Sequence, residues 1–351
     1  MTKTKVSLPQ FGNYAIPFEY IITHGLEMDY IMPPPMTRRT LELGSRYSPD
    51  FVCAPFKISL GCFIEAIEAG ANTIAQISGE CRLGYYGELQ QQILEDLGYN
   101  VTFVNMANCR SDKPSSYIKE FQKINPDLSI KKVAAAFATA LTMVKYMDEL
   151  DGYFRRHIGF QREIGRYEAI YDQWLDELRH CDTAKEIKAL YSITLKRLKS
   201  VPLNRPKKLL KVGVVGEYYT IMDPFSNHNL ERELAGMGMY IDRWMNITNS
   251  LFHYKGKKML PLVKDYAKYS IGATALATID AALRYAKSGF DGIIHVKSFG
   301  CTPETDAIPA LQNISADYKI PILYLSYDSQ TSDTGLQTRL EAFYDMISMR
   351  K

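Results

Sequence analysis

Two hydrophobic rhythms divide the chain. In the first third, short apolar runs alternate with longer stretches of helical period. Lys5–Leu8, Asp29–Met32, Phe51–Cys53, Thr73–Ser78 and Val101–Asn105 read as strands, with helical patterns between them at Ser59–Ala69 and Tyr86–Leu97. Gly70 and Gly98 fall where those helices would end in a left-handed residue. From about Ser115 to Ser200 the strand signals vanish, and amphipathic stretches take over at Val133–Val144, Tyr167–Leu178 and Ala184–Leu198. Val201-Pro-Leu-Asn-Arg-Pro is rich in breakers. Beyond it the alternation resumes. Strands are expected at Lys211–Gly216, Met239–Trp244, Gly292–Lys297 and Pro321–Tyr327, the last two buried, and helices at Asn229–Met237, Ile271–Ser288 and Thr338–Met349. The pattern predicts an α/β protein with two flavodoxin-like or Rossmann-like parallel-sheet domains joined by a helical segment. The expected divisions are an N-terminal α/β domain over 1–112, a helical bridge over 113–205 and a C-terminal α/β domain over 206–351. The halves share a plan but no convincing sequence repeat.

Composition narrows the function classes. At 351 residues the chain suits two domains, and a net charge of +3 is too weak to argue for nucleic acid or a membrane surface. No apolar run reaches membrane-spanning length and the first residues lack a signal-peptide core, so the chain reads as cytoplasmic. In that compartment cysteines stay reduced, which favours metal or redox chemistry over disulfides.

Three of the six cysteines share one local context, a strand giving way to a helix. Cys53 ends Phe51-Val-Cys and precedes a helix. Cys81 follows the Thr73–Ser78 strand, and Cys301 follows Gly292–Gly300 and precedes a helix near Pro303. In an open α/β sheet this is the edge where ligands bind. A thiol at a helix N-terminus is biased toward thiolate, the form iron–sulfur clusters require. The competing explanation for each is a small buried core residue. Three thiolates could hold a 4Fe–4S cluster and leave one iron open for substrate. Cys62 lies within a helical pattern and reads as core. Cys109 follows the Val101–Asn105 strand and is a weaker ligand candidate, and Cys181 reads as incidental.

Other polar clusters have structural explanations. Gly216-Glu217-Tyr218-Tyr219-Thr220 is a βα loop without a nucleotide-binding motif, with Asn227 or His228 as a helix cap nearby. Glu217 and Tyr219 remain weak candidates for lining a catalytic pocket. Thr338 and Glu341 have capping-box spacing, which leaves Arg339 as a candidate clamp for an anion or docking point for a partner. His295 lies in an apolar strand and is expected to be a hydrogen-bonded core histidine.

Taken in order, Phe51-Val-Cys53-Ala-Pro-Phe-Lys57, Leu60-Gly61, Glu65–Gly70, Cys81-Arg-Leu-Gly84-Tyr-Tyr86-Gly, Gly213-Val-Val-Gly216-Glu217, Phe299-Gly300-Cys301-Thr-Pro303-Glu304 and Thr338-Arg339-Leu-Glu341-Ala-Phe343 resemble the 2-hydroxyacyl-CoA dehydratase superfamily, and within it the activase-related branch. The resemblance implies an oxygen-sensitive iron–sulfur protein whose cluster is held by Cys53, Cys81 and Cys301. It implies an ATP-hydrolysing iron–sulfur activator that passes on one electron, and an acyl-CoA substrate reduced to a ketyl radical anion that expels hydroxide. A sister subunit or homodimer is a further expected partner. Three alternatives stay open, among them a double-cubane-cluster reductase of small molecules and a non-catalytic electron-transfer or cluster-scaffold protein. A metal-free binding module of two Rossmann-like lobes is the remaining one.

Overall fold

Strands alternate with helices at both ends of the chain, and helices alone fill the middle. The computed structural model describes residues 3–76, 81, 83–105, 115–253 and 256–350, with the backbone alone described at 83, 115–117 and 257. Cys109 and the end of the expected Thr73–Ser78 strand lie outside the described residues. The chain divides into two compact units. One comprises Met1–Met143 with Asp182–Ala184, and the other Val144–Cys181 with Lys185–Lys351.

The first unit holds β1 (Lys5–Ser7), α1 (Ala15–Tyr20), β2 (Asp29–Tyr30), α2 (Arg38–Tyr47), α3 (Ala54–Glu68), β3 (Thr73–Gln76), α4 (Leu83–Asp96), β4 (Thr102–Asn105) and α5 (Ser115–Gln122). Its sheet is parallel, in the order β2-β1-β3-β4. Helix α3 is buried along most of its length. Phe56, Leu60, Phe63 and Ile64 pack with Ile74 of β3 and Leu94 of α4. Each such side chain contributes about 1.5–3 kcal/mol relative to exposure. A second cluster joins Val6, Ala75 and Val104 of three strands to Ile22, Leu26 and Phe121. Gly70 and Gly98 both have positive φ just past α3 and α4, as expected.

Helix α6 (Ile130–His157) is followed by α7 (Arg166–Leu178) and α8 (Ala184–Ser200). The division between the units falls inside α6. Near its C-terminus the buried Arg155 meets Glu231 at 2.9 Å and also pairs with Asp151, which Arg243 reaches at 3.1 Å. All four lie within the second unit.

That unit continues with β5 (Lys211–Gly216), α9 (Tyr218–Met222), α10 (Leu230–Gly236), β6 (Tyr240–Arg243), α11 (Gly256–Met259), α12 (Ala275–Lys287), β7 (Gly292–Ser298), α13 (Thr302–Tyr318), β8 (Ile322–Tyr327) and α14 (Asp333–Met349). Its sheet is parallel in the order β6-β5-β7-β8. The chain is therefore α/β with two parallel sheets, as the alternation predicts. One face of the second sheet packs Val215 and Ile293 against Ile279 and Leu283 of α12 and Leu311 and Ile314 of α13. No described helix is long and apolar enough to cross a membrane.

Four local expectations need correction. Phe51–Cys53 is a turn, not a strand: Phe51 is 85% exposed and Cys53 is already the N-cap of α3, with Pro55 in its first turn. The expected Ile271–Ser288 helix begins only at Ala275, because Gly272 and Ala273 have positive φ. Strand β8 is an edge strand, half-buried over Ile322–Tyr324 and exposed at Ser326. The last helix starts five residues before Thr338. Ser332 is its cap, accepting from the Gly335 N–H, whereas Thr338 bonds back to the Thr334 carbonyl at 3.1 Å in the helix interior.

Candidate functional site

In both sheets the chain leaves the first strand to one side and returns to its other side. The crevice of such a sheet lies at the carboxyl ends of the two strands flanking that reversal. These are β1 and β3 in the first unit, and β5 and β7 in the second.

In the first unit two cysteines stand at helix starts. Cys53 is the N-cap of α3 in extended conformation (φ −70°, ψ 159°), and Pro55 fits the first turn because no N–H is needed there. Cys81 follows β3 and its carbonyl accepts from the Gly84 N–H at 3.1 Å, opening α4. Tyr86 meets the first of them. Its hydroxyl lies 3.0 Å from Cys53 Sγ, and its ring packs edge-on against Phe56 at 4.7 Å. Burial, reinforced by the negative charges of Cys53 and then Cys81, pushes the Tyr86 phenol far above its ordinary value. It therefore stays protonated and is able to donate to the Cys53 sulfur. Cys81 is exposed and Cys53 half-buried. Phe51 and Tyr85, 85% and 63% exposed, add an unusual aromatic surface beside them.

In the second unit Cys301 is the half-buried N-cap of α13, with Pro303 in the first turn and the exposed Phe299 just before it. Three residues on, Glu304 has no exposure at all. Its carboxylate accepts from Thr274 Oγ1 at 2.5 Å and Thr278 Oγ1 at 3.1 Å, and meets His295 Nε2 at 2.8 Å. The Thr278 hydroxyl also lies 3.4 Å from the Gly216 carbonyl, so the cluster ties the end of β5 to the start of α13. Gly216 is required here: its φ is +145°, and a Cβ would stand 1.8 Å from the Val296 carbonyl oxygen. His295 is the hydrogen-bonded core histidine that its apolar strand predicts.

Glu217 follows directly and caps α9. Its two carboxylate oxygens accept from the Tyr219 N–H at 2.6 Å and the Thr220 N–H at 2.9 Å. Burial raises its pKa and the nearby Glu304 charge adds to this, while the Thr220 and Tyr219 hydrogen bonds oppose it. Tyr219 is half-buried in the same turn. Among the cap candidates before α10, Asn227 accepts from the Leu230 N–H at 3.1 Å, whereas His228 pairs with Asp333.

The remaining described cysteines sit apart from these loops in character. Cys62 is 1% exposed inside α3, as a core residue should be, and Cys181 is 8% exposed after α7. Among the described residues no group of three or more His, Cys, Asp and Glu is arranged to hold a metal ion. Sequence reasoning missed two partners, Tyr86 and Glu304. The signal for Glu304 was present in its position, because an acidic residue three places after a helix cap is favoured by the exposed N–H groups. For Tyr86 the sequence offered none beyond its place after Cys81.

No curated protein matches the chain significantly. Residues 207–347, all within the second unit, match the family described as 2-hydroxyglutaryl-CoA dehydratase, D-component, and this match over part of the chain supports its resemblance to the 2-hydroxyacyl-CoA dehydratase superfamily.

Proposed function

We propose that the chain is the iron–sulfur component of a 2-hydroxyacyl-CoA dehydratase-like system, with Cys53, Cys81 and Cys301 as the ligands of one 4Fe–4S cluster. The observation that carries this reading is the repeated placement of a cysteine at the start of a helix, Cys53 before α3, Cys81 before α4 and Cys301 before α13, the last two after strands of the parallel sheets. The donor chemistry fits: a cubane takes one thiolate per iron, so it does not need three side chains converging on one ion. Bound there, a cluster with three protein thiolates supplies a low-potential electron and one open iron. The chain's own part is to favour thiolates through helix N-termini, to donate the Tyr86 hydroxyl to Cys53, and to anchor the Cys301 helix through Glu304.

The family match supports an acyl-CoA substrate and an ATP-hydrolysing activator as electron donor. Glu217 and Tyr219 are the candidates for the pocket. Glu217 is committed first to capping α9, so a catalytic role would require it to exchange those hydrogen bonds. A double-cubane cluster would need about six thiolates. The burial of Cys62 and Cys181 argues against their service as ligands.

The test is an anaerobic assay of the reconstituted chain with a 2-hydroxyacyl-CoA, an activator, ATP and a reductant. Dehydration should require all components and vanish in Cys301→Ala. Turnover that survives Cys301→Ala or iron removal contradicts the proposal.

A further inference from the structure

Helix α4 is fastened to the start of α3 at two levels, one turn apart. Gln90, with no exposure, donates from Nε2 to Ser59 Oγ at 2.6 Å and to the Phe56 carbonyl at 3.3 Å. Ser59 in turn donates to the same carbonyl at 3.0 Å. Four residues before Gln90, Tyr86 is 6% exposed, and its ring stands edge-on to Phe56 at an interplanar angle of 88°. Leu60, Phe63 and Leu94 belong to the same core cluster. The packing of the two helices therefore aims the Tyr86 hydroxyl at Cys53 Sγ, 3.0 Å away. Cys53 is the N-cap of α3 through its backbone, but its sulfur makes no capping hydrogen bond. Helix capping thus gives no reason for the sulfur to face this hydroxyl.

A cysteine sulfur that ligates iron carries no proton, so in this pair it would accept and the phenol would donate. Charge added to an iron–sulfur cluster spreads onto its sulfurs, and a donor aimed at one of them favours the reduced form. Hydrogen bonds to the sulfurs are among the levers that set cluster potentials. Cys53 is half-buried, and in the lower dielectric there the hydrogen bond is stronger than in water.

We propose that the Tyr86 hydroxyl raises the reduction potential of the cluster by hydrogen bonding to the Cys53 sulfur. The inference rests on the proposed function and deepens it: Tyr86 is a positioning residue that regulates how readily the site accepts an electron. One electron enters from a low-potential reductant, the phenol keeps its proton, and no bond breaks.

The experiment is potentiometry followed by electron paramagnetic resonance on the anaerobically reconstituted full chain, with dithionite as reductant, for the unchanged protein, Tyr86→Phe and Ser59→Ala. Iron content and thermal unfolding are measured on the same samples. Tyr86→Phe keeps the ring against Phe56 and should retain the parent's iron. Its reduced form should become about tenfold less favoured, a fall of about 59 mV for one electron. Ser59→Ala loosens the same helix contact without touching the sulfur and should leave the potential unchanged. The parent's potential in Tyr86→Phe, or loss of iron from folded Tyr86→Phe, overturns the tuning role and leaves the cluster reading standing. An equal fall in Ser59→Ala overturns it as well, because the effect then belongs to helix packing. A parent chain without iron overturns the cluster reading and this inference with it.

Discussion

Glu304 and Asp223 are both buried carboxyls in the second unit, and their surroundings lead to different behaviour. Glu304 is met by two threonine hydroxyls and His295, so its acceptor capacity is used. Removing it leaves the buried imidazole and the Thr274 hydroxyl without this acceptor, and leaves Thr278 only the Gly216 carbonyl at 3.4 Å. Glu304→Ala should therefore cost about 3–5 kcal/mol in urea unfolding, and Glu304→Gln clearly less, because the amide oxygen still serves the threonines. A cost for Glu304→Ala of about 1 kcal/mol or below would contradict this account. Asp223 is 1% exposed and accepts from the Ser226 N–H at 2.7 Å. Burial pushes its carboxyl up from 3.8 to about 6, against the Ser226 hydrogen bonds. The folded state then holds this proton more tightly than the unfolded state. This group's contribution to stability is therefore full below about pH 4 and falls as pH rises toward 6. Asp223→Asn keeps an acceptor oxygen for Ser226 and removes the titration. Its stability relative to the parent should rise by about 1–3 kcal/mol between pH 4 and pH 7 in denaturation series. A difference that stays flat with pH would rule out the burial of an ionised Asp223.

Helices α2 and α3 cross closely, and Gly44 and Gly61 allow it. A Cβ at Gly61 would stand 1.9 Å from the Thr40 carbonyl oxygen. At the same crossing Thr40 Oγ1 donates to Glu65 at 2.6 Å, and Arg39 reaches Glu65 at 3.0 Å and Glu68 at 2.7 Å. Gly61→Ala should push the helices apart and cost about 1–3 kcal/mol or more, read as a lowered unfolding midpoint. An unchanged midpoint would mean that the crossing is not tight in solution. Long periodic elements such as α3 and the hydrophobic strand β7 were legible in the sequence because their apolar spacing is unambiguous. Boundaries set by competing caps were less so. Thr338 and Glu341 have capping spacing, but Ser332 offers an earlier start, and the helix takes it. Phe51-Val-Cys53 has strand-like composition, but it ends in the N-cap of α3 with a proline in the next turn, which leaves no room to pair.

The two sheets repeat one topology, with the first strand second in the order and the third beside it. That plan was visible in the sequence as alternation, and so was the placement of Cys53 and Cys301 at helix starts. The partners of these sites were not, because they come from chain segments distant in sequence. Tyr86 meets Cys53 from 33 residues away, and Thr274 meets Glu304 from 30. The central claim is a cluster on three thiolates, and it is tested most directly by iron and acid-labile sulfide per chain on protein prepared without oxygen, beside Cys53→Ala, Cys81→Ala and Cys301→Ala. About four irons and four sulfides per chain, lost in each variant, is the predicted result. Iron-free protein after careful reconstitution, or full iron content in all three variants, would contradict the account.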